Sequence, residues 1–219
     1  MGATIDLGFK PAQVIALNVD PASNGHSNAE ISRIVEEIRT RARVLPGVNA
    51  ASLAASTPNG FMEISLSIEI PGYTRKSDSD EIVGFNFVSP DYFATLGQPL
   101  LGGRDFSERD GKNAPRTAIV NEKFVRHYFA GRDPIGRKFR QGGGDVEIVG
   151  VVADARDRSI RSGPEEMVCI PEKQGQTSGL MVLVRTDNPK AVIPSLLAMV
   201  RSIDKRMPVF SVHTLDIDV

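Results

Sequence analysis

The chain has 219 residues, enough for one large domain or two small lobes with a sizeable buried core. Its hydrophobic fraction of 41% and charged fraction of 24% are ordinary for a soluble globular protein. Lys and Arg number 26 and Asp and Glu 27, so the formal net charge of -1 gives no basis for nucleic-acid binding, which needs a basic excess or stripe.

The N-terminal part of the chain predicts a strand–helix–strand unit. Residues 14–20 (VIALNVD) predict a strand with alternate apolar residues on one face. Ser27 and Glu30 form a capping box that opens a helix. Residues 48–55 predict the second strand. The apolar face of the helix comprises Ile31, Ile34, Val35, Ile38 and Ala42.

Two more strands follow, separated by a charged loop. Residues 64–70 (ISLSIEI) alternate between apolar and polar side chains, which is typical of a half-buried antiparallel strand. Residues 82–88 predict the next strand. Arg75 to Glu81, between them, is Ser-rich and charged, and we expect a mobile loop.

Val88 to Asp110 contains several structural signals in a short span. Ser89 predicts a helix cap, with Pro90 at the first helical position, and Gly97 predicts a left-handed helix end. Gly102-Gly103 predicts a turn. Nothing in this stretch is a catalytic constellation, so we expect it to hold a shape.

The next segment predicts short strands around one helix. Asn121 predicts the helix cap, and residues 133–136 (DPIG) predict a type I turn. Residues 142–144 predict a hairpin connection, and Gly150 predicts a bulge or a close backbone approach. The predicted strands are residues 117–120, 137–140, 145–153 and 167–170.

The chain closes with a second strand–helix–strand unit. Residues 180–186 and 209–215 predict its strands, and Asn188 predicts the cap of the helix between them. Pro194 falls inside this helix and should remove one backbone hydrogen bond. The predicted apolar face comprises Ile193, Leu196, Leu197, Val200 and Ile203.

These two units predict an α+β fold with two parts. Two split βαβ units commonly pack into one ferredoxin-like layer. We therefore expect a discontinuous lobe from both chain ends, residues 1–70 and 172–219. Residues 71–171 would form an inserted small mixed α/β lobe of short strands and two short helices.

The residue types that carry chemistry are sparse. Cys169 is the one cysteine, which excludes an internal disulfide and a cysteine-based zinc site, and its apolar neighbours favour a buried strand thiol. His26, His127 and His213 have no partner at metal-ligand spacing. Residues 142–144 lack the Lys-Ser/Thr of a phosphate loop, and no serine sits in a GxSxG elbow. We therefore predict no catalytic residue, no cofactor site and no metal site.

Charged residues alternate directly after the strand at residues 145–153. They could form a carboxylate site with an arginine clamp, or a solvated loop or salt-bridge network between lobes. This surface, together with the Arg75–Glu81 loop, is the predicted partner surface. Its residues are Asp154, Arg156, Asp157, Arg158 and Arg161.

The sequence contains no run approaching the ~20 apolar residues of a membrane span. Its N-terminus has no basic region followed by an apolar run, so no signal peptide is expected. As given, the chain is predicted to be soluble.

Several segments, in order, resemble the MacB-type periplasmic core domain of FtsX-like ABC transporter permeases. The resemblance covers nearly the whole chain and is closest to the large permeases typified in acidobacteria. Cys169 departs from it, because relatives commonly have an aromatic residue there. The segments are GFKPAQVIALNVD (8–20), RARVLPGVNAASLA (41–54), VSPDYFATLGQPLLGGRDFSERD (88–110), TAIVNEKFVRHYFAGRDPIGRKF (117–139), VEIVGVVADARDRSIRSGPEEMVCIP (146–171) and VRTDNPKAVIPSLLAMVRSIDKRMPVFSVHTLD (184–216).

The resemblance implies a non-catalytic, extracytoplasmic (periplasmic) domain of an inner-membrane permease, with a porter-like lobe and an inserted lobe. It implies coupling of cytoplasmic ATP hydrolysis to substrate export or signalling. The implied partners are the transmembrane helices of the full-length chain, a cytoplasmic ATPase subunit or domain, and a second permease copy. A periplasmic adaptor and an outer-membrane channel are further family partners.

Two other functions stay open from the sequence. One is a freestanding periplasmic ligand- or partner-binding module, which would have a preformed pocket between its lobes. The other is a hydrolase using Asp105, Asp154 or Asp157.

Overall fold

The computed structural model describes residues 9–20, 25–57, 64–77, 81–155, 165–175 and 180–216. Within these residues the chain forms eleven strands and four α-helices. The strands are β1 (Val14–Val19), β2 (Val48–Ala54), β3 (Ser65–Ser67), β4 (Ile82–Val88), β5 (Leu100–Gly103), β6 (Thr117–Asn121), β7 (Lys138–Gln141), β8 (Gly144–Val152), β9 (Met167–Pro171), β10 (Met181–Thr186) and β11 (Val209–Thr214). The helices are α1 (Asn28–Ala42), α2 (Tyr92–Leu96), α3 (Glu122–Phe129) and α4 (Pro189–Ile203).

The strands join into one mixed sheet. Their order is β11-β1-β10-β2-β4-β9-β6-β8-β5, with β3 paired to β4 and β7 paired to β8. The first four strands are antiparallel, whereas β4 and β9, and β6 and β8, run parallel. Between β2 and β4 the register is a single pair, Ala54 with Val88. The predicted α+β fold is confirmed.

The two predicted strand–helix–strand units interleave at one end of the sheet. β10 lies between β1 and β2, and β1 lies between β11 and β10, so each unit is split by a strand of the other. This order is consistent with two split βαβ units. Helices α1 and α4 pack on the same face of these strands, and their side chains share one hydrophobic cluster.

Helix α1 forms where its capping box and apolar face predict it. The Ser27 hydroxyl accepts the Glu30 N–H, and the Glu30 carboxylate accepts the Ser27 N–H at 2.8 Å. All five predicted apolar positions of this helix are buried in the cluster shared with α4.

Helix α4 is capped by Asn188, whose Oδ1 accepts the Ala191 N–H at 3.3 Å. Its buried face differs in part from the prediction, because Val192 and Met199 are buried and Leu197 is only half-buried. Val192 packs against Gly47, where a Cβ would lie 3.3 Å from a Val192 methyl group. The buried face of α4 therefore includes the residue that contacts the Gly47 loop.

Pro194 lies in the interior of α4, on its exposed side. It has no N–H for the Lys190 carbonyl, so Pro194→Ala should raise the free energy of unfolding by about 1–3 kcal/mol. Urea unfolding measures the difference. The neighbouring exposed Ser195→Ala is the control and should change stability by less than about 0.5 kcal/mol. Equal effects of the two substitutions would contradict the prediction.

A second hydrophobic cluster lies on the other face of β1 and β10. Val14 from β1 and Leu183 from β10 pack there with Tyr92 and Phe93 of α2. Ile119 of β6 belongs to the same cluster. Helix α2 therefore joins the strands from the chain ends to the strands from the middle.

A third cluster lies among the middle strands and α3. Asn121 caps α3 as predicted, with its Oδ1 accepting the Phe124 N–H at 3.2 Å. Ile68 and Ile70 are buried in this cluster, which confirms the alternation predicted for residues 64–70. The predicted lobe boundary at residue 70 grouped them with the chain ends instead. The division into lobes stays a prediction.

The stretch from Val88 to Asp110 differs from its prediction at the start of the helix. Asp91 has a left-handed backbone (φ 67°), so α2 begins only at Tyr92. Ser89 is not the helix cap, because its hydroxyl accepts the Leu53 N–H at 2.8 Å and so extends the contact between β2 and β4. Gly97 ends α2 in the left-handed conformation, as predicted.

Two predicted turns are corrected, and the predicted close backbone approach at Gly150 is confirmed. Gly102-Gly103 is part of β5 rather than a turn, because β5 pairs with β8 along these residues. Gly150 of β8 makes the predicted close approach, since a Cβ there would lie 2.5 Å from the Arg104 carbonyl oxygen. The turn predicted at residues 133–136 lies one residue later, with the Arg137 N–H donating to the Pro134 carbonyl at 3.0 Å. The positive φ of Gly136, 76°, at its third position fits a type II turn.

Candidate functional site

The predicted charged surface is only partly described by the structure. Asp154 follows β8, and its carboxylate accepts the Lys123 N–H at 2.8 Å and pairs with Arg126 at 2.5 Å. Its own N–H donates to the Glu122 carboxylate at 3.3 Å. The Asp154 side chain is 15% exposed, and its carboxylate is held by hydrogen bonds at the N-terminus of α3. Its role there is structural. The other predicted members, Arg156, Asp157, Arg158 and Arg161, lie outside the described residues, so the surface stays a prediction.

The Arg75–Glu81 loop is closed by an ion pair between its two ends. The guanidinium of Arg75 lies 3.0 Å from the carboxylate of Glu81, and both side chains are about half exposed. Residues 78–80 lie outside the described residues.

His127 forms a hydrogen-bonded chain that the sequence did not predict. Its Nδ1 lies 2.8 Å from a Glu166 carboxylate oxygen, and its Nε2 lies 2.9 Å from the Tyr73 hydroxyl. The ring also stacks on Tyr128, with centroids 4.3 Å apart. A hydroxyl, an imidazole and a carboxylate in this order resemble a catalytic relay. Here the chain connects α3 to the turn after β3 and to the start of β9, which braces three elements.

Cys169 is fully buried in β9, as predicted for a strand thiol. Burial raises the pKa of this thiol well above its ordinary value, so the nucleophilic thiolate is disfavoured. Among the residues that the structure describes, no group of three or more His, Cys, Asp or Glu could hold a metal ion.

The carboxylates of the hydrolase hypothesis are not brought together as a site. Asp105 accepts the N–H of its neighbour Phe106 at 2.7 Å, and burial raises its pKa. Asp154 is occupied at α3, and Asp157 lies outside the described residues. An open groove lies beside β5, and neither Asp105 nor Asp154 is among the residues that line it.

That groove is open, has a volume of about 380 Å³, and lies between α3 and β5. Leu101, 53% exposed, and Ile135, 36% exposed, form its apolar wall. Leu100, which precedes Leu101 in β5, is also exposed but does not line the groove. The register of β5 skips Leu101, which leaves this side chain on a bulge in the last strand of the sheet. The lining residues are Leu101, Gly102, Glu122, Val125, Arg126, Gly131, Arg132, Asp133, Pro134, Ile135 and Val151.

Charges of both signs surround the groove. Arg126 is paired with Asp154, and Arg132 donates its Nε–H to the Phe129 carbonyl at 3.1 Å. Asp133 accepts the Ile135 N–H at 3.0 Å. The groove thus joins an apolar wall to a mixed polar rim, the composition of a protein- or ligand-contact surface. Its sequence signal is the apolar pair Leu100-Leu101, which directly precedes Gly102-Gly103.

The sequence profile of the MacB-like periplasmic core domain matches residues 1–198. The macrolide export ATP-binding/permease protein MacB 2 of Aeromonas hydrophila is 33% identical over 118 residues. That alignment covers 52% of this chain and 18% of the relative, so the chain spans about a fifth of the relative's length.

Two solved structures have a similar fold. The periplasmic region of MacB from Actinobacillus actinomycetemcomitans matches with a TM-score of 0.63 at 15% identity, covering 96% of this chain and 92% of that one. The extracellular domain of the noncanonic ABC-type transporter YknZ from Gram-positive bacteria matches with a TM-score of 0.57 at 18% identity, covering 90% and 100%. Within the part of this chain that the structure describes, no helix has the length and apolar content needed to cross a bilayer.

Proposed function

Because the chain belongs to the family of MacB-like periplasmic core domains, we propose that it is the non-catalytic extracytoplasmic domain of an ABC transporter permease. In this function it couples ATP hydrolysis in the cytoplasm to export or signalling across the membrane. The family match over residues 1–198 is the observation that carries the proposal. The sequence contains no GxxxxGK[ST] phosphate loop, so the ATPase would be another domain or subunit.

The proposed partners follow from this placement. They are the transmembrane helices of the full-length chain, a cytoplasmic ATPase and a second copy of the permease. A periplasmic adaptor and an outer-membrane channel are proposed as outside partners. The transported substrate is left open.

The strand order supports a mechanical role. The Leu215 N–H donates to the Val14 carbonyl at 3.0 Å, and Thr214 pairs with Ile15 in the sheet. The first and last strands are therefore neighbours, and the start of β1 lies beside the end of β11. Movement of membrane helices joined there would act directly on β1 and β11.

We also propose the two-lobe division, with a porter-like lobe of residues 1–70 and 172–219 and an inserted lobe of residues 71–171. The burial of Ile68 and Ile70 with the middle strands favours a first boundary before residue 64. Each lobe would then contain its own hydrophobic cluster, and the α2 cluster would join them.

The test measures ATP-driven movement in the full-length transporter in nanodiscs. Arg33→Cys places a spin label on the exposed face of α1 in each copy of the permease. We expect the distance between the two labels to change between the nucleotide-free and ATP-bound states. A label pair within one domain, Arg33→Cys with Lys190→Cys on α4, is the control and should not change. Identical distances between copies in all nucleotide states would refute coupling.

The groove beside β5 favours one alternative, a freestanding periplasmic ligand- or partner-binding module, although the groove lies within the proposed inserted lobe and not between the lobes, where this alternative predicts its pocket. A small apolar ligand that binds there should raise the melting temperature of the chain. Leu101→Arg should abolish that shift, whereas Val44→Arg, at an exposed site in the loop after α1, should leave it unchanged. A panel of apolar ligands without any shift would exclude small-molecule binding at the groove.

A further inference from the structure

Helix α1 carries a buried arginine on its inward side. Arg39 is 4% exposed and lies four residues after the buried Val35. Its Nε and Nη2 donate to the Glu36 carboxylate at 2.9 and 2.5 Å. Its Nη1 is buried and has no hydrogen-bond partner within the described residues. A buried donor left unpaired is costly, so the position of this guanidinium depends on the carboxylates around it.

A second carboxylate reaches Arg39 from a distant part of the chain. Glu108 lies in the loop after β5, and one of its oxygens is 3.5 Å from the Arg39 Nη2. Its other oxygen is 2.5 Å from the Lys173 ammonium, in the turn that follows β9. The Lys173 hydrogen bond is the main reason that the pKa of Glu108 is lowered. One carboxylate thus bridges α1 and the middle strands.

This bridge spans the joint of the sheet with the fewest register pairs. β2 and β4 share one such pair within the described sheet. The joint also has two backbone hydrogen bonds, Ala55 N–H to the Phe87 carbonyl and Ser89 N–H to the Leu53 carbonyl, and bonds from the Ser89 and Asn86 side chains. Arg43, at the end of α1, makes a second ion pair across the same joint, 3.1 Å from Asp91. α2 joins the two parts through apolar contacts, whereas these ion pairs join them through charges.

A buried acid lies beside the bridge. Glu172 is 4% exposed and directly precedes Lys173. Burial raises its pKa, and the positive charges of Lys173 and Arg39 act in the opposite direction. When Glu108 moves away, Arg39 keeps its hydrogen bonds to the Glu36 carboxylate.

We propose that Arg39, Glu108 and Lys173 form a latch that holds α1 against the middle strands, and that Glu108 is the member that releases. Glu108 fits this role because its side chain is 63% exposed, whereas that of Arg39 is 5% exposed. Release would free the two parts to rock about the apolar α2 cluster. The latch rests on the proposed coupling function for its purpose, but its existence can be tested without ATP or a membrane.

The test is a distance measurement across the joint in the 219-residue chain. Spin labels at Arg33→Cys on α1 and Lys138→Cys on β7 lie on exposed positions of the two parts. The wild-type latch should give a narrow distance distribution. Glu108→Gln should increase the population of other distances about two- to fivefold, the factor that an exposed ion pair contributes. High salt should broaden the wild-type distribution in the same direction, because it screens exposed charges.

Glu37→Gln is the matched control, since Glu37 pairs with Arg41 within α1 at 2.6 Å and does not cross the joint. It should leave the distribution unchanged. A distribution that is identical in wild type, Glu108→Gln and high salt would overturn the latch. That result would leave the ATP-driven movement between permease copies untouched, so failure of the latch and failure of the proposed function are separate outcomes.

Discussion

Gly103→Ala should lower the free energy of unfolding by about 3 kcal/mol or more, because two costs add at this position. Gly103 has a positive φ of 72°, which is strained for a residue with a side chain. A Cβ there would also overlap the Val149 carbonyl oxygen and lie 2.9 Å from the Ile135 Cδ1. Neither the backbone oxygen of β8 nor the strand pairing can yield without disturbing β5.

Gly102→Ala is the matched control, because Gly102 is the neighbouring residue of the same strand. A Cβ at Gly102 would have no atom within 4 Å, so its effect should stay within about 1 kcal/mol. Urea unfolding at constant m-value measures both variants, and the melting temperature of Gly103→Ala should fall by at least ~6 °C. Similar losses at the two glycines would show that close packing of β5 on β8 is not the cause.

The features that the sequence predicted correctly are those encoded by neighbouring residues. α1 combines a capping box with five apolar residues at helical spacing, and both signals act within the helix itself. The interleaved order of β1, β2, β10 and β11 is consistent with the predicted pair of split βαβ units, since two similar units at the chain ends have few ways to bury their apolar faces together.

The errors arose where a distant residue decides the conformation. Ser89 has the sequence of a helix cap, but the Leu53 N–H, 36 residues away, takes its hydroxyl. Gly102-Gly103 has the sequence of a turn, but these two residues pair with β8 as part of strand β5. In both cases pairing in the sheet outweighs a local preference.

The bridge between Arg39, Glu108 and Lys173 was harder to predict for the same reason. Glu108 lies 69 residues from Arg39 and 65 from Lys173, so no local spacing reveals the bridge. One signal was available, since Arg39 lies four residues after Val35 and therefore beside the apolar face of α1. A charge at such a position indicates a partner supplied by another element.

Asp110 is the other position where a large effect is expected. This carboxylate is 5% exposed and accepts from both Arg104 Nη atoms at 2.8 Å. It also accepts the Ser107 N–H at 2.9 Å and the Thr117 hydroxyl at 3.3 Å.

Asp110→Asn keeps the shape of the side chain but removes its charge and half of its capacity to accept hydrogen bonds. It should lower the free energy of unfolding by about 2 kcal/mol at pH 7, the scale of hydrogen bonds to a charged group. Asp145→Asn is the control, because its carboxylate is exposed and 3.7 Å from Arg140, and it should cost less than about 0.5 kcal/mol.

The pH dependence of this effect has a definite sign. The hydrogen bonds from Arg104, chiefly, lower the pKa of Asp110 in the folded chain. The charged carboxylate is therefore favoured by folding, and its contribution is fully present above the ordinary carboxyl pKa of about 3.9. It is lost as the pH falls through the lowered folded pKa. The stability gap between wild type and Asp110→Asn should thus be constant from pH 7 to about pH 5 and close in more acidic solution. A gap that persists unchanged in acid would mean that Asp110 stabilises the Val88–Asp110 stretch through its shape and not through its charge.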